Sequence, residues 1–242
     1  MFTQFDTQSI TLGSISLNWT ILLNIKKLIM NTEHNSNNIE VELINSVTSE
    51  KLIELSSDLG ESFIDVMMEE GVIKNIPIIG AIYKFAKAGI GIREQYFTKK
   101  IYLFLLGIKD ISSNARMRFI EDLNNPSYGQ RAGETLLMLL ERFDHMEKPK
   151  ILARLLQAKV LNKIDMNNFL RLANVLEKSY VHDLFKLSEY RDSKQFRGNE
   201  SECLLSYGLI YLAVIDQMGI NRPYKLTSMG EDLLKYGIES DC

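Results

Sequence analysis

The stretch from Ile76 to Thr98, IPIIGAIYKFAKAGIGIREQYFT, constrains the fold of this chain more than any other. At about 100° per residue, its small and polar residues share one narrow helix face, and its isoleucines and aromatic residues cover most of the rest. Pro77 stands at the start, where its missing N–H breaks no helical hydrogen bond. Such a helix would be roughly 30 Å long, close to the thickness of a bilayer core.

Two interpretations of this stretch stay open. In one it is a buried core helix whose glycines let neighbours approach closely, and Arg93, which interrupts the apolar arc, favours this view. In the other it is an interfacial or pore-lining helix, whose lysines face lipid headgroups or a lumen and whose small residues allow helix packing. The residues predicted to form this membrane or oligomerisation helix are Ile78, Ile79, Gly80, Ile82, Lys84, Phe85, Lys87, Ala88 and Gly91.

Charge is distributed unevenly around this stretch. The net charge of −3 gives no overall attraction to nucleic acid or lipid. Residues 1–70 nevertheless carry 11 acidic and 3 basic side chains, and residues 71–118 carry 9 basic and 2 acidic ones. Ser49–Glu70 has the apolar spacing of a helix with an acidic stripe on its opposite side. The stripe is either a solvated face or a restraint that holds the basic segment at rest, through Glu50, Glu54, Asp58, Glu61 and Asp65.

Composition predicts a globular protein of the cytoplasm. Hydrophobic residues make up 45% and charged residues 24% of 242. Cys203 and Cys242 are the only cysteines, which suits a reducing compartment. The chain has no uninterrupted apolar run of membrane-span length and no signal-peptide pattern at its start. We expect residues 1–48 to be an N-terminal extension with a polar linker, and a start at Met30 would place residues 1–29 upstream of the natural protein.

Helical periodicity continues through residues 49–190. The helices predicted after the glycine-rich stretch are Lys99–Ile111, Ser113–Asn124, Ser127–Phe143, one that opens at Pro149, and Met166–Tyr190 with Asp165 as its cap. Short connections between them imply antiparallel packing. The pattern of residues 191–242 predicts instead a polar linker, a helix end, two strands and a short helix capped by Thr227. The predicted fold is mainly α, a multi-helix bundle followed by a small winged-helix-like module with a short β-hairpin.

No catalytic or metal site is predicted. His182-Asp183 has the letters of a phosphohydrolase motif but lacks the further ligands that a metal site needs. A phosphate-binding loop, a dinucleotide fingerprint and a nucleophile elbow are all missing from the sequence. Cys203 has no base near it along the chain. We therefore expect a protein that is not an enzyme and has no cofactor.

The winged-helix-like tail raises the question of nucleic-acid binding. Arg222 and Lys225, in the hairpin, are the candidate nucleic-acid contacts. The preceding helix, Asn199–Tyr207, contains two Glu and no basic residue, which is a poor match to a phosphate backbone. Nucleic acid is thus not the expected partner. The alternative function is a winged-helix regulator or adaptor that binds DNA or a protein, and its DNA-binding form predicts salt-dependent duplex binding lost with Arg222→Ala and Lys225→Ala.

Two blocks carry a family resemblance: NIPIIGAIYKFAKAGIGIREQYFTKKIYLFL and GETLLMLLERFDHMEKPKILARLLQAKVLNKIDMNNFLRLANVL. They resemble a group of small helical bacterial proteins, some of them found among anti-phage, abortive-infection genes. The resemblance covers about residues 50–190, and its motifs are structural rather than catalytic. It implies a non-enzymatic anti-phage effector, cytoplasmic at rest, that senses an infection cue such as a phage protein. The effector would then form a homo-oligomer and disrupt the inner membrane; the trigger and the subunit number stay open.

Overall fold

Helices form most of this fold, and one short antiparallel sheet lies near the C-terminus, which confirms the predicted mainly α class. The computed structural model describes residues 39–55, 76–85, 91–129, 131–192, 199–213 and 223–239. The helices are α1 (39–48), α2 (Pro77–Phe85), α3 (Ile92–Gly107), α4 (Ser113–Leu123), α5 (Ala132–Arg142), α6 (Glu147–Val160), α7 (Met166–Lys178), α8 (Val181–Phe185), α9 (Asn199–Ser206) and α10 (Ser228–Leu233). The strands are β1 (Ile210–Leu212) and β2 (Tyr224–Leu226).

Helix α6 lies at the centre of the bundle. It contacts α3, α4, α7 and the π-helical turn Leu234–Ile238 that follows α10. Its inner face is almost fully buried and consists of Ile151, Leu152, Leu155 and Leu156. Burial of one such side chain stabilises a fold by about 1.5–3 kcal/mol, so this helix is a principal source of core stability.

Helix starts follow the sequence signals closely. The Asp165 side chain accepts a hydrogen bond from the N–H of Asn168 at the start of α7, at 2.7 Å. The Thr227 hydroxyl accepts one from the N–H of Gly230 at the start of α10, at 3.0 Å. Each bond satisfies a donor that would otherwise have no partner in the first turn. Both caps were predicted from the sequence, and both are present.

The stretch 76–98 is not one helix, so that prediction is wrong. Helix α2 ends at Phe85 and α3 begins at Ile92. Gly91, the N-cap of α3, is extended, with φ −68° and ψ 166°, and therefore cannot continue a helix from the preceding residues. Glycine is costly in a helix interior, which makes it a natural boundary. Residues 86–90 lie outside the described part, and the helix predicted over Lys99–Ile111 is the second half of α3.

The helix predicted over Ser49–Glu70 also differs from the structure where it is described. A 3₁₀-helix spans Glu50–Glu54, and Leu55 after it is extended, with ψ 127°. Leu52 and Leu55 are both buried. Apolar residues three apart fit the repeat of a 3₁₀-helix as well as that of an α-helix, which explains the error. Residues 56–70 lie outside the described residues.

Residues 39–48, predicted to be part of a linker, form helix α1. Leu43 and Val47, four residues apart on one face of α1, are fully buried in the hydrophobic core. The polar residues that precede this helix indicated a linker, and the apolar repeat of the helix is too short to be recognised from the sequence. The core of the bundle therefore begins well before residue 49.

The predicted long helix Met166–Tyr190 is broken after Lys178. Ser179 is extended, with ψ 154°, and its hydroxyl donates to the carbonyl of Leu176 at 3.4 Å. Such a side-chain bond competes with helical hydrogen bonding and favours a helix end. Helix α8 and the 3₁₀-helix Leu187–Tyr190 follow as separate short elements.

Two glycines allow the chain to form the C-terminal hairpin and to pack a helix against it. Gly208 has φ +71°, in the left-handed region, and ends α9 with its N–H bonded to the carbonyl of Leu205. The chain then enters β1, which pairs with β2 so that Ile210 lies opposite Leu226. Gly230 allows α10 to lie against this hairpin, since a Cβ at Gly230 would stand 2.0 Å from the carbonyl oxygen of Leu209.

Candidate functional site

The predicted membrane helix has its apolar face in the protein core. In α2, the exposed fractions of Ile78, Ile79 and Ile82 are 0%, 1% and 7%. The backbone N–H of Ile78 donates to the hydroxyl of Ser46 in α1, at 3.0 Å. Lys84, on the same helix, is exposed. The structure therefore holds α2 as a core helix, anchored near its N-terminal end to α1.

The other residues predicted for this site do not share one described helical face. Gly80 lies in the first turn of α2, and its N–H bonds to the carbonyl of Ile76. Gly91 is exposed and precedes α3. Lys87, Ala88 and the side chain of Phe85 lie outside the described residues. Because Gly91 is extended, α2 and α3 do not form one continuous helix.

No helix within the described ranges is long and apolar enough to cross a membrane. Helix α2 has 9 residues. At 1.5 Å per residue it is about 13 Å long, less than half of the roughly 30 Å of a bilayer core.

The described part of the acidic stripe makes no ion pair with a described basic residue. Glu50 and Glu54 are exposed, and neither belongs to any of the described ion pairs. The remaining acids of the stripe, Asp58, Glu61 and Asp65, lie outside the described residues. Arg116 and Lys109, which belong to the basic segment, bind backbone carbonyls of the 39–55 segment instead.

Arg116 is the main contact between these two segments. Its side chain is 2% exposed, although it carries a full charge. Nε donates to the carbonyl of Val47 at 2.6 Å, and Nη2 donates to the carbonyl of Ser49, also at 2.6 Å. Nearby, the Nζ of Lys109 donates to the carbonyl of Leu55 at 3.1 Å. Two cations thus bind the C-terminal end of α1 and the end of the 3₁₀-helix.

The same guanidinium also binds the turn between α3 and α4. Its Nη1 donates to three carbonyls there, those of Ile108, Lys109 and Ile111. Arg116 forms no ion pair with a carboxylate among the described residues, so carbonyl dipoles at two helix ends stabilise its charge. Burial lowers the pKa of Arg116, because desolvation disfavours the charged form.

Three further buried or half-buried cations bind carbonyls at helix ends in the same way. Lys100 donates to two carbonyls at the end of α5, both at 2.7 Å, and burial lowers its pKa. Lys148 donates to a carbonyl at the end of α7, at 3.1 Å. Arg154 donates to the carbonyl of Gly237 in the C-terminal turn, at 2.9 Å. Each satisfies acceptors that have no partner inside their own helix.

Lys148 also pairs with a carboxylate at the protein surface. Its Nζ lies 2.6 Å from an oxygen of Asp144, four residues earlier. Burial alone would raise the pKa of Asp144, but the hydrogen bond and the charge of Lys148 outweigh this effect and lower it. Asp144 therefore has a structural partner in Lys148.

Sequence reasoning missed these cations, although one signal was available. Arg116, Phe119, Ile120 and Leu123 have the i, i+3, i+4, i+7 spacing of one helix face, and all four are buried. A basic residue on an otherwise apolar face indicates a buried cation. Which carbonyls it would bind could not be read from the sequence, because they lie as many as 69 residues away.

Two histidines, His145 and His182, contact each other, and the described residues form no metal site with them. The rings of His145 and His182 meet edge to face at 5.5 Å between centroids. Nδ1 of His145 accepts the N–H of Glu147 at 3.1 Å. Within the described ranges, no three His, Cys, Asp or Glu residues lie close enough together to hold a metal ion.

Comparisons with protein-family models, curated protein sequences and solved structures gave no significant match. The likeness to anti-phage proteins remains a resemblance of the two sequence blocks quoted above.

Proposed function

We propose that this chain is a non-enzymatic anti-phage effector that keeps an apolar helix in its core at rest. On an infection cue, such as a phage protein, it forms a homo-oligomer and exposes that helix to the inner membrane. The observation that carries the proposal is the burial of α2, whose isoleucines face the core while Lys84 faces solvent. The resemblance to abortive-infection proteins supports it, and so does the excess of basic residues from 71 to 118.

Release of α2 would be costly, which suits an effector that must stay inactive until triggered. Exposing Ile78, Ile79 and Ile82 would cost roughly 5–9 kcal/mol at about 1.5–3 kcal/mol each. This is comparable to the total stability of a typical domain, about 5–15 kcal/mol. Release therefore needs a cue that binds the open form much more tightly than the closed form.

The described part of the proposed restraint consists of Ser46 and Arg116; Asp58, Glu61 and Asp65, which were predicted to contribute to it, lie outside the described residues. Ser46 holds the first turn of α2 through the N–H of Ile78, and Arg116 holds the 39–55 segment that carries Ser46. Once free, α2 would lie in the membrane interface with its isoleucines in the hydrocarbon and Lys84 among the headgroups. A helix this short would disrupt a bilayer only when many copies act together, which is why the proposal includes oligomerisation.

Dye release from anionic liposomes tests this function, with Ser46→Ala as the key variant. The substitution leaves the buried N–H of Ile78 without its partner, at a cost of about 1–3 kcal/mol, and so raises the open population at least fivefold. We expect Ser46→Ala to release dye at least five times faster than the unmodified protein. Adding Lys84→Glu should suppress this release, because the new carboxylate is repelled by anionic headgroups.

Thr48→Ala is the matched control. The Thr48 hydroxyl, like that of Ser46, bonds back to the carbonyl four residues earlier in α1, but it is not bonded to α2. We expect Thr48→Ala to behave as the unmodified protein does. Equal dye release from both variants, or release that Lys84→Glu leaves unchanged, would contradict the proposed function.

A further inference from the structure

A cavity of about 590 Å³ opens in the C-terminal part of the fold. Leu226 and Leu234 contribute apolar surface to it. Its polar lining comes from the end of the 3₁₀-helix Leu187–Tyr190, from both strands, from α10 and from the π-helical turn. These side chains are Arg191, Tyr211, Lys225, Glu231 and Lys235. The volume lies within the range of about 300–1,000 Å³ that is usual for small-molecule sites.

The hairpin presents an aromatic ring beside a cation. Tyr211 in β1 lies directly opposite Lys225 in β2, so their side chains emerge on the same face of the sheet. The next pair, Ile210 and Leu226, is buried at 1% and 8% exposure and faces the core. Tyr211 is 45% exposed. Its ring is thus available to a ligand beside the ammonium group of Lys225.

The cations around the cavity exceed the local carboxylates. Arg191 pairs with Glu239, so its charge is partly compensated. Lys225 and Lys235 form no ion pair within the described part of the chain, although Lys235 lies 5.1 Å from the ring centroid of Tyr236. Glu231 is the one acid among the described lining residues. An anionic group would satisfy two lysines that have no carboxylate partner here.

We infer that this cavity binds a nucleotide. Lys225 and Lys235, with Arg191 beside them, bind the phosphates, because ammonium and guanidinium groups are the side chains suited to phosphate oxygens. Tyr211 stacks on the base, as exposed aromatic rings do in nucleic-acid-binding proteins. Glu231 accepts a hydrogen bond from a ribose hydroxyl. The inference does not depend on the proposed membrane function.

Other anions fit the cavity less well. Inorganic phosphate would use the lysines but leave the exposed ring of Tyr211 and the carboxylate of Glu231 without a role. Duplex DNA would need an extended basic face, and the neighbouring helix α9 carries Glu200 and Glu202 in its first turn. A single nucleotide combines a phosphate, a planar ring and hydroxyl donors in one ligand of suitable size.

Isothermal titration calorimetry of the full chain with ATP, GTP, CTP and UTP at about 0.15 M salt tests the inference. Adenosine and inorganic tripolyphosphate serve as the two halves of the ligand, and a duplex oligonucleotide tests for nucleic-acid binding. We expect at least one nucleotide to bind at least tenfold more tightly than either half or the duplex. Lys225→Ala and Lys235→Ala should each weaken that binding at least tenfold, and Tyr211→Ala should weaken it while Tyr211→Phe, which keeps the ring, should not.

Lys163→Ala provides the matched control, since Lys163 is an exposed lysine in the turn between α6 and α7, outside the cavity lining. It should leave nucleotide binding unchanged. Several results would overturn the inference: no heat of binding with any nucleotide, tripolyphosphate binding as tightly as the nucleotides, preference for the duplex, or equal loss in the Lys163 variant. Thermal unfolding of each variant confirms that the surface substitutions leave the fold intact.

Discussion

Buried cations that bind helix-end carbonyls are the main residue-scale feature of this protein. Arg116 is the clearest of them, because it is almost fully buried and binds five carbonyls from two separate parts of the chain. A buried charge is costly unless its environment compensates it. Here the ends of α1 and α3 supply that compensation, so that Arg116 and the 39–55 segment depend on each other for their positions.

Replacing Arg116 should therefore destabilise the whole fold. In Arg116→Met the side-chain volume is nearly kept, but five carbonyls lose a hydrogen bond from the guanidinium. The Ile108 carbonyl keeps the N–H of Ile111, whereas the buried carbonyl of Val47 loses the bond from Nε. We expect the free energy of unfolding to fall by about 3 kcal/mol. Arg118→Met is the control, since Arg118 lies on the exposed side of the same helix and should change stability by less than about 0.5 kcal/mol.

Urea denaturation followed by circular dichroism at 222 nm would measure both variants. Equal midpoints for Arg116→Met and Arg118→Met would show that the buried guanidinium contributes little to stability.

At the scale of elements, the sequence predicted which segments are helical better than where the helices end. Asp165 and Thr227 cap helices as expected, since a carboxylate or hydroxyl before an apolar repeat is a local signal. The breaks at Gly91 and Ser179 were missed, because the apolar repeat continues across them. Helix 39–48 was missed because its apolar repeat is short and follows a polar run. Boundaries of this kind depend on tertiary packing that a local pattern does not contain.

The contact between α10 and the hairpin gives an element-scale prediction. Gly230→Ala would place a Cβ 2.0 Å from the backbone oxygen of Leu209. Thr227 is bonded to both backbones, since its hydroxyl accepts the N–H of Gly230 and its N–H donates to the carbonyl of Leu209. We expect a loss of about 3 kcal/mol in the free energy of unfolding. Gly91→Ala is the matched control, because its Cβ would meet only the flexible carboxylate end of Glu94 and should cost less than about 1 kcal/mol.

Thermal unfolding monitored by calorimetry would compare the two alanine variants. A melting temperature for Gly230→Ala as high as that for Gly91→Ala would refute the close approach of α10 to β1.

At the scale of the whole molecule, the central feature is the apolar helix α2, whose isoleucines are buried in the core of the bundle. The sequence of α2 is compatible with a membrane helix and with a core helix, because both require the same broad apolar face. What distinguishes them is burial against the rest of the protein, and α1 contributes to it through the Ser46 hydroxyl, which accepts the N–H of Ile78. The pattern of residues 76–98 predicts neither helix α1 nor the hydrogen bonds of Arg116. The burial of α2 could therefore be seen only in the structure.

Hydrogen–deuterium exchange of the intact protein, read on peptides that cover Ile79–Ile82, tests the burial of α2 most directly. If α2 is a core helix held by α1, its amides will exchange as slowly as those of α6, with a free energy of opening close to that of global unfolding. Ser46→Ala should accelerate exchange of the α2 amides, whereas Thr48→Ala, which removes no bond to α2, should leave it nearly unchanged. Exchange of the α2 amides within seconds in the intact protein would contradict the account, because it would mean that α2 is not enclosed at rest.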